Sequence, residues 1–187
     1  MKKVIFGGAN SLDNYFARKD GAVDWLLWSK EVSEIMTEYW NRFDTVLMGR
    51  NTYEVTLKMA GAKNSSSLQT YVFSRTLKPV KRKGLEIVSD DVAEFVRKLK
   101  QEDGKDIYLM GGGLLAKPLF EADLIDEIGF NIHPVLLGSG IPLYYEMNRQ
   151  INLELLDCRQ LSTGCVVLSY RVKHEEKSGK SGSKRKK

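Results

Sequence analysis

The sequence has few cysteines and histidines, and it lacks any long apolar run. Cys158 and Cys165 are its two cysteines. Two thiols are too few for a structural zinc site, which takes four ligands, so we expect free thiols. With two histidines, neither a metal site nor a Ser-His-Asp triad is indicated. No stretch approaches the ~20 apolar residues that span a bilayer. The run after Met1 is too short for a secretory signal, and we expect a cytoplasmic protein.

The net charge of +5 resides at one end of the chain. Seven of the 29 Lys and Arg residues and two of the 24 Asp and Glu residues lie from residue 173 onward, which leaves 22 of each before it. A Ser-, Gly- and Lys-rich segment without large apolar side chains cannot bury enough surface to fold. We expect one domain at 1–172 and a disordered basic tail at 173–187. Nucleic-acid binding through this tail is the alternative interpretation.

Apolar periodicity predicts an α/β fold. Strands are predicted at 3–9, 44–50, 70–76, 85–89 and 106–111, followed by 127–138, 151–161 and 165–172 without intervening helices. Residues 10–28 read as a long loop. Alternation of strands and helices followed by an antiparallel section predicts a mixed central sheet flanked by helices, with a C-terminal antiparallel hairpin.

Four helices are predicted between these strands. They lie at 32–43, after residue 50, after residue 91 and at 112–122. Ser29 is a suitable N-cap for the first, Asn51 or Thr52 for the second, and Asp90 or Asp91 for the third. Pro118 suggests that the fourth helix begins near Leu115, because proline is tolerated mainly in a first turn.

Three strand ends carry residues suited to phosphate. The glycine run of 111–113 lies between a strand and a helix, where a pyrophosphate can approach the backbone and the helix N-terminus. Gly49, Arg50, Asn51 and Thr52 follow the second strand, and Ser74, Arg75 and Thr76 end the third with two hydroxyls and a guanidinium. Each alone is also compatible with an ordinary turn or solvated loop. Three such ends in one α/β sheet indicate a ligand-binding edge.

Several short motifs, in a fixed order along the chain, resemble those of a known protein family. The chain reads ANSLDNYFARKDGAVDW at 9–25, VLMGRNTY at 46–53, VFSRT at 72–76, YLMGGG at 108–113, LIDEI at 124–128 and HPVLLGSGIPL at 133–143. Over residues 3–172 it resembles the dihydrofolate reductase-like family. It is most similar to stand-alone members related to the reductase domain of riboflavin biosynthesis.

The resemblance implies a coenzyme and a site. NADPH would lie across the strand ends, and family members commonly pair as homodimers, to which residues 133–140 would contribute. The implied cofactor-binding residues are Gly49, Arg50, Asn51 and Thr52 at the phosphates, Ser74, Arg75 and Thr76 at the adenosine 2′-phosphate, and Gly111, Gly112, Gly113 and Leu114 at the pyrophosphate.

The loop at 10–25 would lie beside the nicotinamide and the substrate. We expect Asn10, Trp25 and Glu31 to contact substrate, with Asp24 as a weaker candidate. Asp13 is the candidate catalytic residue, and a structural carboxylate is its alternative interpretation. His133, in an apolar strand before Pro134, is expected to be structural.

Two positions depart from the family pattern. Asn14 stands where relatives have the glycine of S-L-D-G, and asparagine tolerates the left-handed conformation better than most residues. Lys30 falls where dihydrofolate reductases carry a substrate-binding carboxylate, which argues against folate reduction, although neighbouring Glu31 could serve if the alignment shifts by one.

The sequence thus predicts an NADPH-dependent reductase that acts on a C=N or C=O bond of a small heterocyclic or sugar-derived substrate. Such a substrate would resemble either an intermediate of riboflavin biosynthesis or a pteridine. The alternative is an NADPH-binding protein without turnover.

Overall fold

The computed structural model describes residues 1–60 and 68–174. Its strands are β1 (Val4–Ser11), β2 (Tyr15–Ala17), β3 (Phe43–Gly49), β4 (Gln69–Phe73), β5 (Lys81–Arg82), β6 (Leu85–Val88), β7 (Asp106–Met110), β8 (Glu127–His133), β9 (Ile141–Pro142), β10 (Asn152–Gln160) and β11 (Val166–Lys173). Its helices are α1 (Lys30–Trp40), α2 (Arg50–Ala60), α3 (Val92–Leu99) and α4 (Gly113–Glu121). From residue 175 onward, the expected basic tail lies outside the described residues, as do residues 61–67.

Within the described residues, nine strands form one mixed sheet in the order β10-β11-β8-β1-β7-β3-β4-β6-β5. The six strands from β8 to β6 run parallel. At one end β11 pairs antiparallel with β8 and β10 pairs antiparallel with β11, and at the other end β5 pairs antiparallel with β6. This confirms the dihydrofolate reductase-like fold class with its antiparallel C-terminal hairpin. Because the six central strands are parallel, their carboxyl ends share one side of the sheet, the carboxyl edge.

Helices cover both faces of the sheet, because the central strands are apolar on both sides. On one face, Phe6 packs edge-on against Phe120 of α4, with ring centroids 5.8 Å apart. On the other face, Tyr108 packs edge-on against Trp40 of α1 at 4.8 Å. Among the described residues, no helix has both the length and the apolar character needed to span a membrane.

Local signals located two helix starts correctly. The Ser29 hydroxyl accepts a hydrogen bond from the backbone N–H of Val32 at 3.2 Å, which confirms it as the N-cap of α1. The Asp91 carboxylate accepts from the N–H of Glu94 at 2.9 Å and caps α3. These caps depend on residues three apart, which a sequence can reveal directly.

Two other helix starts differ from expectation. Strand β3 leads directly into α2 at Arg50, so Asn51 and Thr52 lie in the first turn and neither is the N-cap. Helix α4 begins at Gly113, which leaves Pro118 inside it. Burial of α4 through Leu119 and Phe120 compensates for the backbone hydrogen bond that the proline removes.

The strand ends also differ from the predicted bounds. The stretch predicted as strand 127–138 ends at His133, because Pro134 cannot donate to a ladder. Strand β4 ends at Phe73, so the candidate residues 74–76 follow the strand and do not pair within it. Strand β2 lies within the predicted loop at 10–28 and pairs Tyr15 with Pro142 of β9, a segment for which the sequence predicts no element.

The opposite edge of the sheet is held by ion pairs. Glu127 accepts from Lys3 at 2.8 Å and from Arg42 at 2.9 Å. The carboxylate of Asp126 pairs with buried Lys100 and accepts the N–H of Val4 at 2.7 Å. These acidic side chains therefore stabilise the fold at the end remote from the carboxyl edge.

Candidate functional site

The three predicted phosphate-binding segments meet at the carboxyl edge. Strands β7, β3 and β4 are neighbours in the sheet, and their last residues are in register: Met48 pairs with Met110, and Gly49 with Phe73. The segments 49–52, 74–76 and 111–114 therefore emerge side by side. The N-termini of α2 and α4 open at this same edge, and a helix N-terminus favours an anion.

Arg50 connects two of these strand ends. Its Nε donates to Glu54 Oε1 at 2.6 Å, and its Nη1 donates to Thr76 Oγ1 at 2.8 Å. The first contact lies within α2 and the second crosses to the segment after β4. Arg50 therefore fixes the spacing between the ends of β3 and β4.

The segment after β4 forms a tight turn around a hydroxyl. Ser74 Oγ accepts from the backbone N–H of Thr76 at 3.2 Å and of Leu77 at 3.1 Å. The turn leaves Arg75 exposed. Within residues 1–60 and 68–174, no ion pair or side-chain hydrogen bond engages its guanidinium, so it is available to a phosphate monoester.

The three glycines after β7 differ in what surrounds them. Gly111 has φ +106°, and a Cβ there would overlap the side chain of Thr52. A Cβ on Gly113 would overlap the backbone oxygen of Leu143. A Cβ on Gly112 would meet no atom of the described residues within 4 Å. Packing therefore requires glycine at 111 and 113, whereas at 112 the backbone faces open space.

In the part of the chain that the structure describes, no side chain caps the N-terminus of helix α4. Gly112 is the N-cap, with φ −76° and ψ 163°, and it provides no side-chain hydrogen bond to the first turn. The first N–H groups of a helix need external partners. An open backbone, an uncapped helix start and exposed Leu114 together suit the close approach of a pyrophosphate.

Asp13 joins the turn after β1 to the segment after β8. Its carboxylate accepts from Ser11 Oγ at 2.6 Å and from the backbone N–H groups of Leu137 at 3.1 Å and Gly138 at 2.8 Å. The Ser11 hydrogen bond, followed by those of the backbone, lowers the pKa of Asp13. The geometry gives Asp13 a positioning role, and its role as proton donor stays a prediction.

Asn14 keeps the turn that a glycine would make. Its φ is 62°, in the left-handed region, and its N–H donates to the Ser11 carbonyl at 3.0 Å. The Asn14 carbonyl in turn accepts from the N–H of Leu143 at 2.9 Å. The departure from the family pattern therefore preserves the local backbone.

Asn10 and Trp25 are both buried near the carboxyl ends of β1 and β8, and each has one unsatisfied polar atom. Asn10 Nδ2 donates to the Ser11 carbonyl at 2.8 Å, while Asn10 Oδ1 has no partner among the described residues. Trp25 packs edge-on against His133 at 5.2 Å, and its Nε1 is likewise unpartnered there. His133 Nδ1 accepts the backbone N–H of Leu27 at 3.2 Å, and burial lowers the pKa of His133, so the ring is neutral and structural.

Glu31 binds the turn between β10 and β11. Its carboxylate accepts from the backbone N–H of Ser162 at 2.9 Å and from its hydroxyl at 2.6 Å, which lowers the pKa of Glu31 and anchors the β10–β11 turn. Lys30 is exposed and lies 3.6 Å from Glu34. Asp24 pairs with Arg18 at 2.6 Å. The structure therefore gives Glu31 a structural role. Its contact with substrate stays a prediction.

Sequence reasoning missed a group of exposed apolar side chains at the β1 and β8 ends of the carboxyl edge. We call this group the apolar rim; it consists of Leu12, Leu27, Trp28 and Leu136. Leu12 N–H donates to the Val135 carbonyl at 2.9 Å, which joins the two loops that carry the rim. The runs DWLLW and PVLLG, apolar residues placed outside regular strands, are the signal that could have revealed it.

Comparisons with known proteins agree with this geometry. The chain matches the family model of the RibD C-terminal domain over residues 2–167. It is 33% identical over 182 residues to the uncharacterized protein YyaP of Bacillus subtilis, covering 91% of this chain and 95% of that protein.

Solved structures agree on the fold. A Shewanella sp. PV-4 protein assigned to riboflavin biosynthesis is similar with a TM-score of 0.81 and 26% identity, covering 93% of this chain and 100% of that one. Dihydrofolate reductase from Enterococcus faecalis, solved with NADP(H), shares the fold with a TM-score of 0.63 and 13% identity, covering 92% and 97%. The family match spans most of the chain, and the protein therefore belongs to the RibD C-terminal domain family.

Proposed function

We propose that this protein is an NADPH-dependent reductase that transfers a hydride to a C=N or C=O bond of a small heterocyclic or sugar-derived compound. The observation that carries the proposal is the convergence of three adjacent strand ends, those of β3, β4 and β7, with two helix N-termini at one edge. Ligands of open α/β sheets bind outside such carboxyl ends. The reductase-type family and the NADP(H)-bound relative of the same fold support this choice.

The residues at this edge fit a phosphorylated dinucleotide. Gly112 leaves room at the start of α4, where the free N–H groups and the helix dipole favour a pyrophosphate. Arg75, with Ser74 and Thr76 beside it, offers a guanidinium and hydroxyls to a terminal monoester such as a 2′-phosphate. Neither Asp nor Glu is present in that trio to repel it.

The coenzyme supplies the hydride, and the protein positions the partners and excludes water. Asn10 and Trp25 border the place for the substrate, with one unsatisfied acceptor and one unsatisfied donor. Asp13 holds residues 137 and 138 against the β1 turn. The proton that completes the reduction comes from water, either directly or relayed through Asp13, whose lowered pKa leaves the carboxylate ionised at neutral pH.

The proposal is tested by replacing Arg75. We expect Arg75→Ala to weaken NADPH binding by about 1.5–3 kcal/mol, a value typical of a hydrogen bond to a charged group, which is roughly a 10- to 150-fold rise in Kd. NADH binding should change little, because NADH has no 2′-phosphate. Quenching of tryptophan fluorescence measures both affinities.

Arg82→Ala provides the matched control. Arg82 is also an exposed arginine, but it pairs with Leu85 at the start of β6, remote from the carboxyl edge. Its loss should leave NADPH affinity unchanged. Equal weakening of NADPH and NADH by Arg75→Ala would show that Arg75 does not bind the 2′-phosphate.

Coenzyme binding without turnover is the second candidate function. It is favoured by the contacts of the two nominated carboxylates, since Asp13 and Glu31 already accept hydrogen bonds from the protein. Tight NADPH binding with no NADPH oxidation across pterins, pyrimidines and simple carbonyl compounds would support it. Oxidation of NADPH by any member of that panel would exclude it.

A further inference from the structure

The apolar rim is unusual in its exposure. Leu12 is 61% exposed, Leu27 41%, Trp28 67% and Leu136 69%, although all four are large apolar side chains. Scattered exposed apolar residues are ordinary, whereas a group at one place marks a binding surface. Hydrogen bonds join the segments that carry this group, from Leu12 N–H to Val135 and from Leu27 N–H to His133.

The charges around the rim do not favour an anion. Residues 10–31 and 133–145 contain three Lys or Arg and four Asp or Glu. Two of the three cations are paired, Arg18 with Asp24 at 2.6 Å and Lys30 with Glu34 at 3.6 Å. Lys19 precedes Asp20 in an exposed turn. A phosphate removed from water needs charged donors, as the Arg75 segment provides at the other end of the edge.

Beside the rim, Asp13 is a carboxylate that accepts hydrogen bonds from the protein, whereas the polar atoms that lack a partner among the described residues belong to neutral groups. Asn10 and Trp25 leave one acceptor and one donor unsatisfied, and His133 is held uncharged by burial. Apolar walls with a few neutral polar groups are typical of sites for flat, uncharged ligands. The carboxyl edge is therefore divided: it is cationic at β3 and β4, and apolar at β1 and β8, where Asp13 places a carboxylate that further disfavours a phosphate.

We propose that the apolar rim binds the substrate, and that this substrate is an uncharged compound with a flat apolar ring carrying C=O or C=N, not a sugar phosphate. This inference rests on the proposed reductase function and narrows its substrate class. Trp28 offers an indole face for stacking, and Leu12, Leu27 and Leu136 cover the ring edges. The apolar rim lies on the same carboxyl edge as the proposed coenzyme site, which argues for a substrate as its occupant and against a second copy of the chain.

Two flavin probes test the inference by binding alone. Lumiflavin is a neutral ring with C=O and C=N groups, and FMN carries the same ring on a phosphorylated chain. Fluorescence polarisation should give lumiflavin a Kd at least tenfold below that of FMN. Stacking on an aromatic side chain is worth enough that Trp28→Ala should raise the lumiflavin Kd about tenfold.

Leu155→Ala is the control, since Leu155 is 55% exposed on β10 and lies outside the rim. It should leave the lumiflavin Kd within twofold. Equal or tighter binding of FMN, or an unchanged lumiflavin Kd in Trp28→Ala, would overturn the inference. A third contrary result would be that Trp28→Ala loses dimer mass, measured by light scattering, while its lumiflavin Kd stays unchanged. The rim would then bind a second copy of the chain.

NADPH affinity, measured on the same samples, separates this inference from the proposed function. Trp28→Ala should bind NADPH as the wild type does, which also shows that the variant is folded. A wild type that binds lumiflavin through Trp28 but not NADPH would refute the reductase assignment. A wild type that binds NADPH but neither flavin would refute the substrate class.

Discussion

Gly111→Ala gives the most direct test of the geometry at the carboxyl edge. The residue has φ +106°, and a Cβ would lie 3.1 Å from Thr52 Cβ and Cγ2 and closer still to its hydroxyl. A sparsely populated backbone conformation costs about 1–3 kcal/mol, and overpacking costs about 1–3 kcal/mol more. The expected loss in the free energy of unfolding is therefore about 2–6 kcal/mol.

Urea denaturation measures this loss. With a slope of ~2 kcal/mol/M, the midpoint should fall by about 1–3 M. Thr52→Ala in the Gly111→Ala background removes the hydroxyl and one methyl group, so it should recover part of the overpacking cost in a double-mutant cycle. The backbone cost should remain.

Gly112→Ala is the matched control, because its φ is −76° and its Cβ would enter open space. Its stability should stay within about 0.5 kcal/mol of wild type or rise slightly. Its NADPH affinity should nevertheless fall, since the new methyl group occupies the space proposed for the pyrophosphate. Equal stability of Gly111→Ala and wild type, or equal losses in the two variants, would refute the reasoning.

Two further predictions concern the turn after β1. The lowered pKa of Asp13 means that its stabilising contribution is complete above the ordinary aspartate pKa of ~3.9 and is lost as the pH falls through the lowered value. The urea midpoints of wild type and Asp13→Asn should therefore differ at pH 7 and draw together as the pH falls below ~3.9, whereas a constant difference would show that the Asp13 charge is not involved. Asn14→Ala should lose about 1–2 kcal/mol by the same assay because φ is 62°, whereas Asn14→Gly should lose none, and equal losses would contradict this.

The parts of the fold that could be predicted from the sequence are those determined by residues close to each other along the chain. Ser29 and Asp91 cap helices through residues three positions away, and the apolar strands alternate with amphipathic helices. Residues 49–52, 74–76 and 111–114 could be placed at one edge because parallel strands align their carboxyl ends. The shared direction of the strands is sufficient for that prediction, without any distance between the segments.

The parts that sequence did not predict depend on contacts between remote residues. Asp13 bonds Leu137 and Gly138, and Glu31 bonds Ser162, more than a hundred residues away in each case. The pairing of β2 with β9 has the same cause. Carboxylates that looked like candidates for chemistry therefore acquired structural partners that composition and spacing do not reveal.

The link from Arg50 to Thr76 has a consequence for how a ligand is received. Thr76 belongs to the candidate monoester site, and its hydroxyl oxygen accepts from Arg50 at 2.8 Å. The neighbouring strand ends are thus held in position by the protein's own contacts. Association then loses little conformational entropy in shaping the receptor, and the Thr76 hydroxyl can donate to a phosphate oxygen while it accepts from Arg50.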